Sequence, residues 1–283
     1  MKSSQPDPPS KLTFSQLSGG ARLGLGYYRR HGWELESAAV GPRGVVDALE
    51  DLRQPAFDTR DVHPDVRRFF EDTSGLELFI RSHWRGPFLL LWWLMRPLMA
   101  FFGQFVLPWR EAHILTRCIP LDAAADGRSD VRGIERYYAG TKQAFQVAAY
   151  ATWEHAGVHY MHASFPMPFG QIAGLLRLDP LEADADGRVG VALTSQRREG
   201  QPEDRSGVWA LIGRTALPSP FAERLCLWAP GAPDCAVPAS ARCPDATILG
   251  CHEQSLFGLR FVRHYYWFRP LDSAPESESE PAS

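Results

Sequence analysis

The residues best placed for chemistry sit near the end of the chain, in the stretch that runs from Ile248 to Phe268. If Phe257-Gly258 forms a two-residue hairpin turn, Leu256 faces Leu259, Gln254 faces Phe261 and His252 faces Arg263. Ile248, Leu256, Leu259, Phe261, Tyr265 and Trp267 then share one face with His252, Gln254 and Arg263, and so apolar a face is expected to point inward. Buried His and Arg cations need a carboxylate or an anionic ligand group beside them, and Glu135 and Glu154 are the candidate carboxylates. The alternative is an edge pair that reaches solvent. In a greasy pocket burial shifts pKa values, so His252, Tyr265 and His162 are the expected acid–base groups. On the opposite face Glu253, Arg260 and His264 read as a surface charge cluster.

Other chemistries find little footing. His159 and His162 are an odd number of residues apart, so a regular strand points them to opposite faces and they cannot chelate one ion. Cys118, Cys226, Cys235, Cys243 and Cys251 form no usual zinc spacing, and an odd count suits a reducing compartment. Gly24-Leu-Gly26 lacks a preceding strand and a third glycine, and Asp184-Ala-Asp186-Gly187 lacks the rest of a calcium loop. No nucleophile-elbow, zincin or phosphate-loop motif is present. No cofactor and no metal are expected. Net charge is −3, and four of the carboxylates (Asp272, Glu276, Glu278, Glu280) lie at the very end. The nearly neutral remainder argues against a nucleic-acid partner.

The elements that must position these side chains are mostly strands. In a chain of 283 residues, 45% hydrophobic and 22% charged, a sizeable core is affordable. Period-two alternation predicts strands over 112–119, 132–138, 143–153, 158–165, 189–197, 207–214, 223–228, 247–256 and 259–268. Two Ala-Asp-Gly-Arg segments, 125–128 and 185–188, read as turns. About nine sequential strands without intervening helices predict an α+β, β-rich fold: a curved antiparallel sheet, as an open barrel or cup, covered by N-terminal helices. Phe145, Val147, Ala149, Ala151 and Trp153 share a face that is expected to line the interior, its small alanines leaving room for a cavity. The expected ligand-binding set is Trp153, Phe145, Phe261, Trp267, Arg263 and Glu135.

Upstream, helices are expected over 45–52 and from His63-Pro64 to about Gly75. The segment 87–109 is long enough to approach a membrane span, but Arg96 and Pro97 interrupt it. Three readings of its helix, 88–107, stand: packing over the sheet with a polar stripe (Arg96, Ala100, Gly103, Gln104) outward, lying in a membrane interface through Trp92, Trp93 and Trp109, or spanning. The domain reading is a disordered tail at 1–10, a mostly helical cover at 11–110, the β cup at 111–270 and a disordered acidic tail at 271–283. Without an apolar leader, a cytoplasmic and possible peripheral membrane location is expected.

Two stretches, Val62-His-Pro-Asp-Val-Arg-Arg-Phe-Phe-Glu71 and His252-Glu-Gln-Ser-Leu-Phe-Gly258 through His264-Tyr265-Tyr266, resemble a family of uncharacterised bacterial proteins. The resemblance covers the layout of about 62–269, a strand and the apolar helix following the first motif, and implies no activity. In shape the layout also resembles lipocalin or START-type ligand cups. The expected function is binding of a lipid- or polyketide-like hydrophobic small molecule. The alternatives are a cofactor-independent cyclase, isomerase or hydratase, and a peripheral membrane protein anchored by helix 88–107. Composition does not set the oligomeric state.

Overall fold

The computed structural model describes residues 8–9, 11–18, 20, 22–35, 41–213 and 215–271. The expectations for the two tails, and for Arg214 at the end of a predicted strand, fall almost wholly outside these residues. The chain forms strands β1 (Leu76–Trp84), β2 (Glu111–Pro120), β3 (Arg132–Tyr138), β4 (Ala144–His155), β5 (Val158–Met167) and β6 (Gly170–Ala183). They are followed by β7 (Val189–Thr194), β8 (Gly207–Ile212), β9 (Thr215–Pro218), β10 (Phe221–Trp228), β11 (Ile248–Leu256) and β12 (Leu259–Pro270). Helices are α1 (Tyr27–Arg30), α2 (Pro64–Glu71), α3 (Pro87–Phe102) and α4 (Ala123–Asp126).

One antiparallel sheet runs β5-β4-β3-β2-β1-β12-β11-β10-β7-β6, and pairing of β5 with β6 closes it into a ten-stranded barrel. β8 pairs with the first half of β6 (171–175), on the side where β7 pairs with the second half, and β9 pairs with β8. The antiparallel barrel was legible in the sequence; the open cup of nine strands is corrected to a closed one of ten. The strand most responsible is β6, whose Gly170, Gly174 and Pro180 argue against a strand. Pro180 is tolerated because the β6–β7 register shifts between Pro180 and Ala183. The first Ala-Asp-Gly-Arg segment is also no hairpin turn: it ends α4, with Gly127 at φ 85 and Asp126 buried against Arg128.

β1 lies inside the stretch expected to be mostly helical cover, and the remainder of that stretch floors and flanks the barrel. α2 starts on Pro64, is capped by the His63 ring and buries Val66, Phe69 and Phe70. With Val45, Val46, Leu49, Leu52 and Val62 these side chains join the interior core and close one end as a floor. The predicted helix at 45–52 is only a 3-10 turn over Leu49–Leu52. Gly44 permits the closure, since a Cβ there would meet the Phe70 carbonyl at 2.1 Å.

The other end is the mouth. The β5–β6, β8–β9 and β11–β12 turns lie there, as does α3, which follows β1. α3 crosses from β12, where Arg85 N–H donates to the Phe261 carbonyl, to the β4–β5 edge. There Gln104 donates to the carbonyls of Val147 and Pro166. Of its expected outward stripe Arg96 is exposed, Ala100 and Gly103 are half-buried and Gln104 is fully buried, while Leu90, Leu91, Trp93, Leu94, Leu98 and Phe101 are exposed and only Trp92 of the helix is buried. Among the described residues, no helix is long and apolar enough to cross a membrane.

Candidate functional site

Inside the barrel lies a cavity of about 430 Å³, within the usual range of small-molecule sites, about 300–1,000 Å³. Apolar side chains line most of it: Phe69, Leu78 and Phe268 toward the floor, Leu176, Leu193 and Leu225 along the wall, and Phe105, Phe165, Phe221 and Phe261 toward the mouth. Arg136, Gln146, Tyr150, Glu223, His252, Gln254, His264 and Tyr266 interrupt this lining with polar groups.

Three of them form a chain. The Glu223 carboxylate lies 2.9 Å from His252 Nε2, and the Tyr266 hydroxyl lies 3.0 Å from His252 Nδ1. A carboxylate only accepts, so a neutral His252 carries its proton on Nε2 and accepts the Tyr266 proton on Nδ1. This leaves the Tyr266 oxygen as the reactive atom facing the cavity. Burial pushes the Tyr150 and Tyr266 phenols up, so both stay protonated. Beside them His264 Nδ1 is 2.8 Å from Ser82 Oγ, its ring stacked on Tyr266. Burial, with His252 and His83 nearby, holds its pKa well below the ordinary histidine value. Such a set can hold a polar ligand group and can move one proton through Tyr266.

Of the sequence-predicted residues, His252, Phe145 and Phe261 line the cavity. Arg263, Tyr265 and Trp267 do not, because the hairpin register slips. Leu256 pairs with Leu259 as expected, but a bulge between Gln254 and Ser255 pairs His252 with His264 instead of Arg263. One extra residue in β12 exchanges its faces. His264, Tyr266 and Phe268 turn inward; Arg263 turns outward onto Glu253, and Tyr265 and Trp267 pack beneath the 229–247 loop. His264 is therefore a cavity residue and no part of a surface charge cluster, and it was missed for want of any local signal of the bulge.

The second correction concerns β4. Val147, Ala149 and Ala151 face outward, against Leu17, Leu23, Tyr27 and Tyr28 of the N-terminal segment, and Trp153 packs outside on Tyr160. Ala148 and Tyr150 face the interior, and Phe145 joins them where a second bulge, between Arg136 and Tyr137, breaks the β3–β4 register. His162 lies on the outer face of β5 under Phe14, with burial and Arg128 holding its pKa down. Glu135 is on the outer face of β3, buried, with Arg117 Nη1 at 3.9 Å, and burial raises its pKa. His252 has Glu223 as its carboxylate partner, and neither Glu135 nor Glu154 fills that place.

No family profile matches the chain, and no solved structure matches it. A curated protein with detectable similarity is the "Uncharacterized membrane protein YndJ" of Bacillus subtilis strain 168. It is 23% identical over 269 residues, covering 92% of this chain and 44% of that protein. The chain thus spans under half the length of the relative it resembles, which is in keeping with an uncharacterised family and assigns no activity.

Proposed function

We propose that the barrel binds a hydrophobic small molecule, lipid-like in its apolar length, with a polar end. The observation that supports this is the cavity of about 430 Å³, apolar at floor and mouth with its polar groups gathered between. Native mass spectrometry of freshly purified protein, followed by solvent extraction, tests it. A co-purifying amphiphile is the expected result. An empty protein that also fails to bind added apolar probes would defeat the proposal. Catalysis by Tyr266 through His252 and Glu223 is what the same pocket could add.

A second reading, peripheral attachment to a membrane, has its own support. Apart from Leu35 and Leu271, the large exposed apolar side chains among the described residues gather at the mouth: those of α3, Trp109, Phe169, Ile212, Leu217, Phe257 and Leu259. Arg96 over Trp92, Arg110 over Trp109 and Lys142 over Tyr137 add cations at the same end. Phe257 is 77% exposed and held at φ 51, two costs on one residue that a purely soluble role leaves unexplained. The relative's description as a membrane protein agrees. Flotation with liposomes containing anionic lipid is the test, and protein left wholly in the aqueous fraction would remove this reading.

A further inference from the structure

β3 and β10 stand diametrically opposite in the ten-stranded ring. On β3, Arg136 follows Ile134 on the inward face and lines the cavity. Its Nε is buried without a hydrogen-bond partner, and Arg136 enters no ion pair among the described residues. The carboxylate lining the cavity, Glu223, is on β10 across the chamber and is already engaged by His252 at 2.9 Å. Tyr150 and Tyr266 sit within electrostatic reach of both charges. His264 Nε2, fully buried and facing the same cavity, is a second polar atom without a partner. An apolar chamber that holds a guanidinium without a counter-ion is incomplete.

Resting on the reading of the barrel as a hydrophobic-ligand site, we infer that Arg136 is its headgroup receptor and that the ligand is a long-chain monoanion, an acyl carboxylate. The fork of the guanidinium matches two carboxylate oxygens with parallel N–H donors. The Tyr150 hydroxyl supplies a further donor on the strand beside it. The chain of the ligand lies along Phe145, Phe165, Leu176 and Leu193 toward the mouth. One unengaged guanidinium balances one negative charge. A phosphate monoester would bring nearly two, facing Glu223 as well.

Titration of the delipidated protein with dodecanoate, 1-dodecanol and dodecyl phosphate tests the inference. Dodecanoate is expected to bind at least about tenfold more tightly than dodecanol, a difference of about 1.4 kcal/mol. Arg136→Met should erase the preference by weakening dodecanoate binding, while Arg136→Lys keeps part of it. Equal affinities in the wild type, or a preference that survives in Arg136→Met, overturn the headgroup assignment and leave the cavity reading standing. Tighter binding of dodecyl phosphate overturns the monoanion. Binding of none of the three overturns both readings. Should Arg136→Met fail to fold, Arg136→Gln takes its place in the same titration, and a dodecanoate preference that survives there overturns the headgroup assignment.

Discussion

His264 and His162 are buried on opposite sides of the barrel wall, and burial keeps both pKa values well below the ordinary histidine value. The unfolded chain takes up protons on both below about pH 6.5, whereas the folded chain does not. Their contribution to stability is therefore complete above about pH 7. It falls as the medium is acidified, by up to about 1.4 kcal/mol per pH unit for each group. Thermal melts at about pH 7.5 and 5.5 should show this loss, and a His162→Gln, His264→Gln double variant should flatten it. An equal acid loss in the double variant would show that other groups carry the effect. Tyr266→Phe is a separate matter. It removes the donor to His252 Nδ1 and should cost about 1 kcal/mol of stability. If the pocket turns over a compound, the same change should lower the rate by about 100-fold or more with binding retained. A rate that stays at the wild-type level would take Tyr266 out of any proton transfer.

At the scale of elements, the closing hairpin shows what a strand pattern can and cannot say. Both strands and the Phe257-Gly258 turn are legible in the alternation, and Phe257 at φ 51 with Gly258 at φ 78 has the double left-handed geometry of a tight hairpin. The bulge is not legible, because Arg260, Phe261 and Val262 offer two registers of similar hydrophobicity. Phenylalanine is poorly suited to a left-handed position, where the cost is about 1–2 kcal/mol. Phe257→Asn is therefore expected to stabilise the fold by about 1 kcal/mol and, on the membrane reading, to weaken liposome flotation. Unchanged flotation, combined with unchanged flotation of Leu94→Glu on the exposed face of α3, would separate the mouth from any bilayer contact.

At the scale of the molecule, the barrel is covered on both sides. The interior core draws on all ten ring strands and on the floor, while separate apolar clusters lie outside under the N-terminal segment and under the 229–247 loop. The cavity is the region the interior side chains leave unfilled, and Gly174 on β6 is one place where it can be filled. A Cβ there makes only ordinary contacts, at 3.9 Å, with Leu176 and Val208. Gly174→Leu should fold with little change in melting temperature and lose most of its capacity for apolar probes. In the wild type, a probe at about 100 times its Kd should add about 2.7 kcal/mol of stability, a rise of roughly 5–10 °C. A Gly174→Leu protein with the full wild-type rise would place the probe outside the barrel.

Local sequence determined the parts whose physics is local. The period of most strands, the Phe257-Gly258 turn, the Pro64 start of α2 and the inward side of His252 all follow from neighbours a few residues apart. Arg263, expected inside, lies outside against Glu253, and the guanidinium that lines the cavity is that of Arg136. Only the tertiary structure decided that β5 and β6 close the ring, which side of β4 is the interior, and that Arg136, Glu223, His252, His264 and Tyr266 meet in one chamber. Closure rests on hydrogen bonds between strands that carry no special side chains. Alternation marks an interior only when the other face is polar. Here Val147, Ala149 and Ala151 outside are as apolar as the lining within, so choosing between the faces takes the long-range packing of the N-terminal segment.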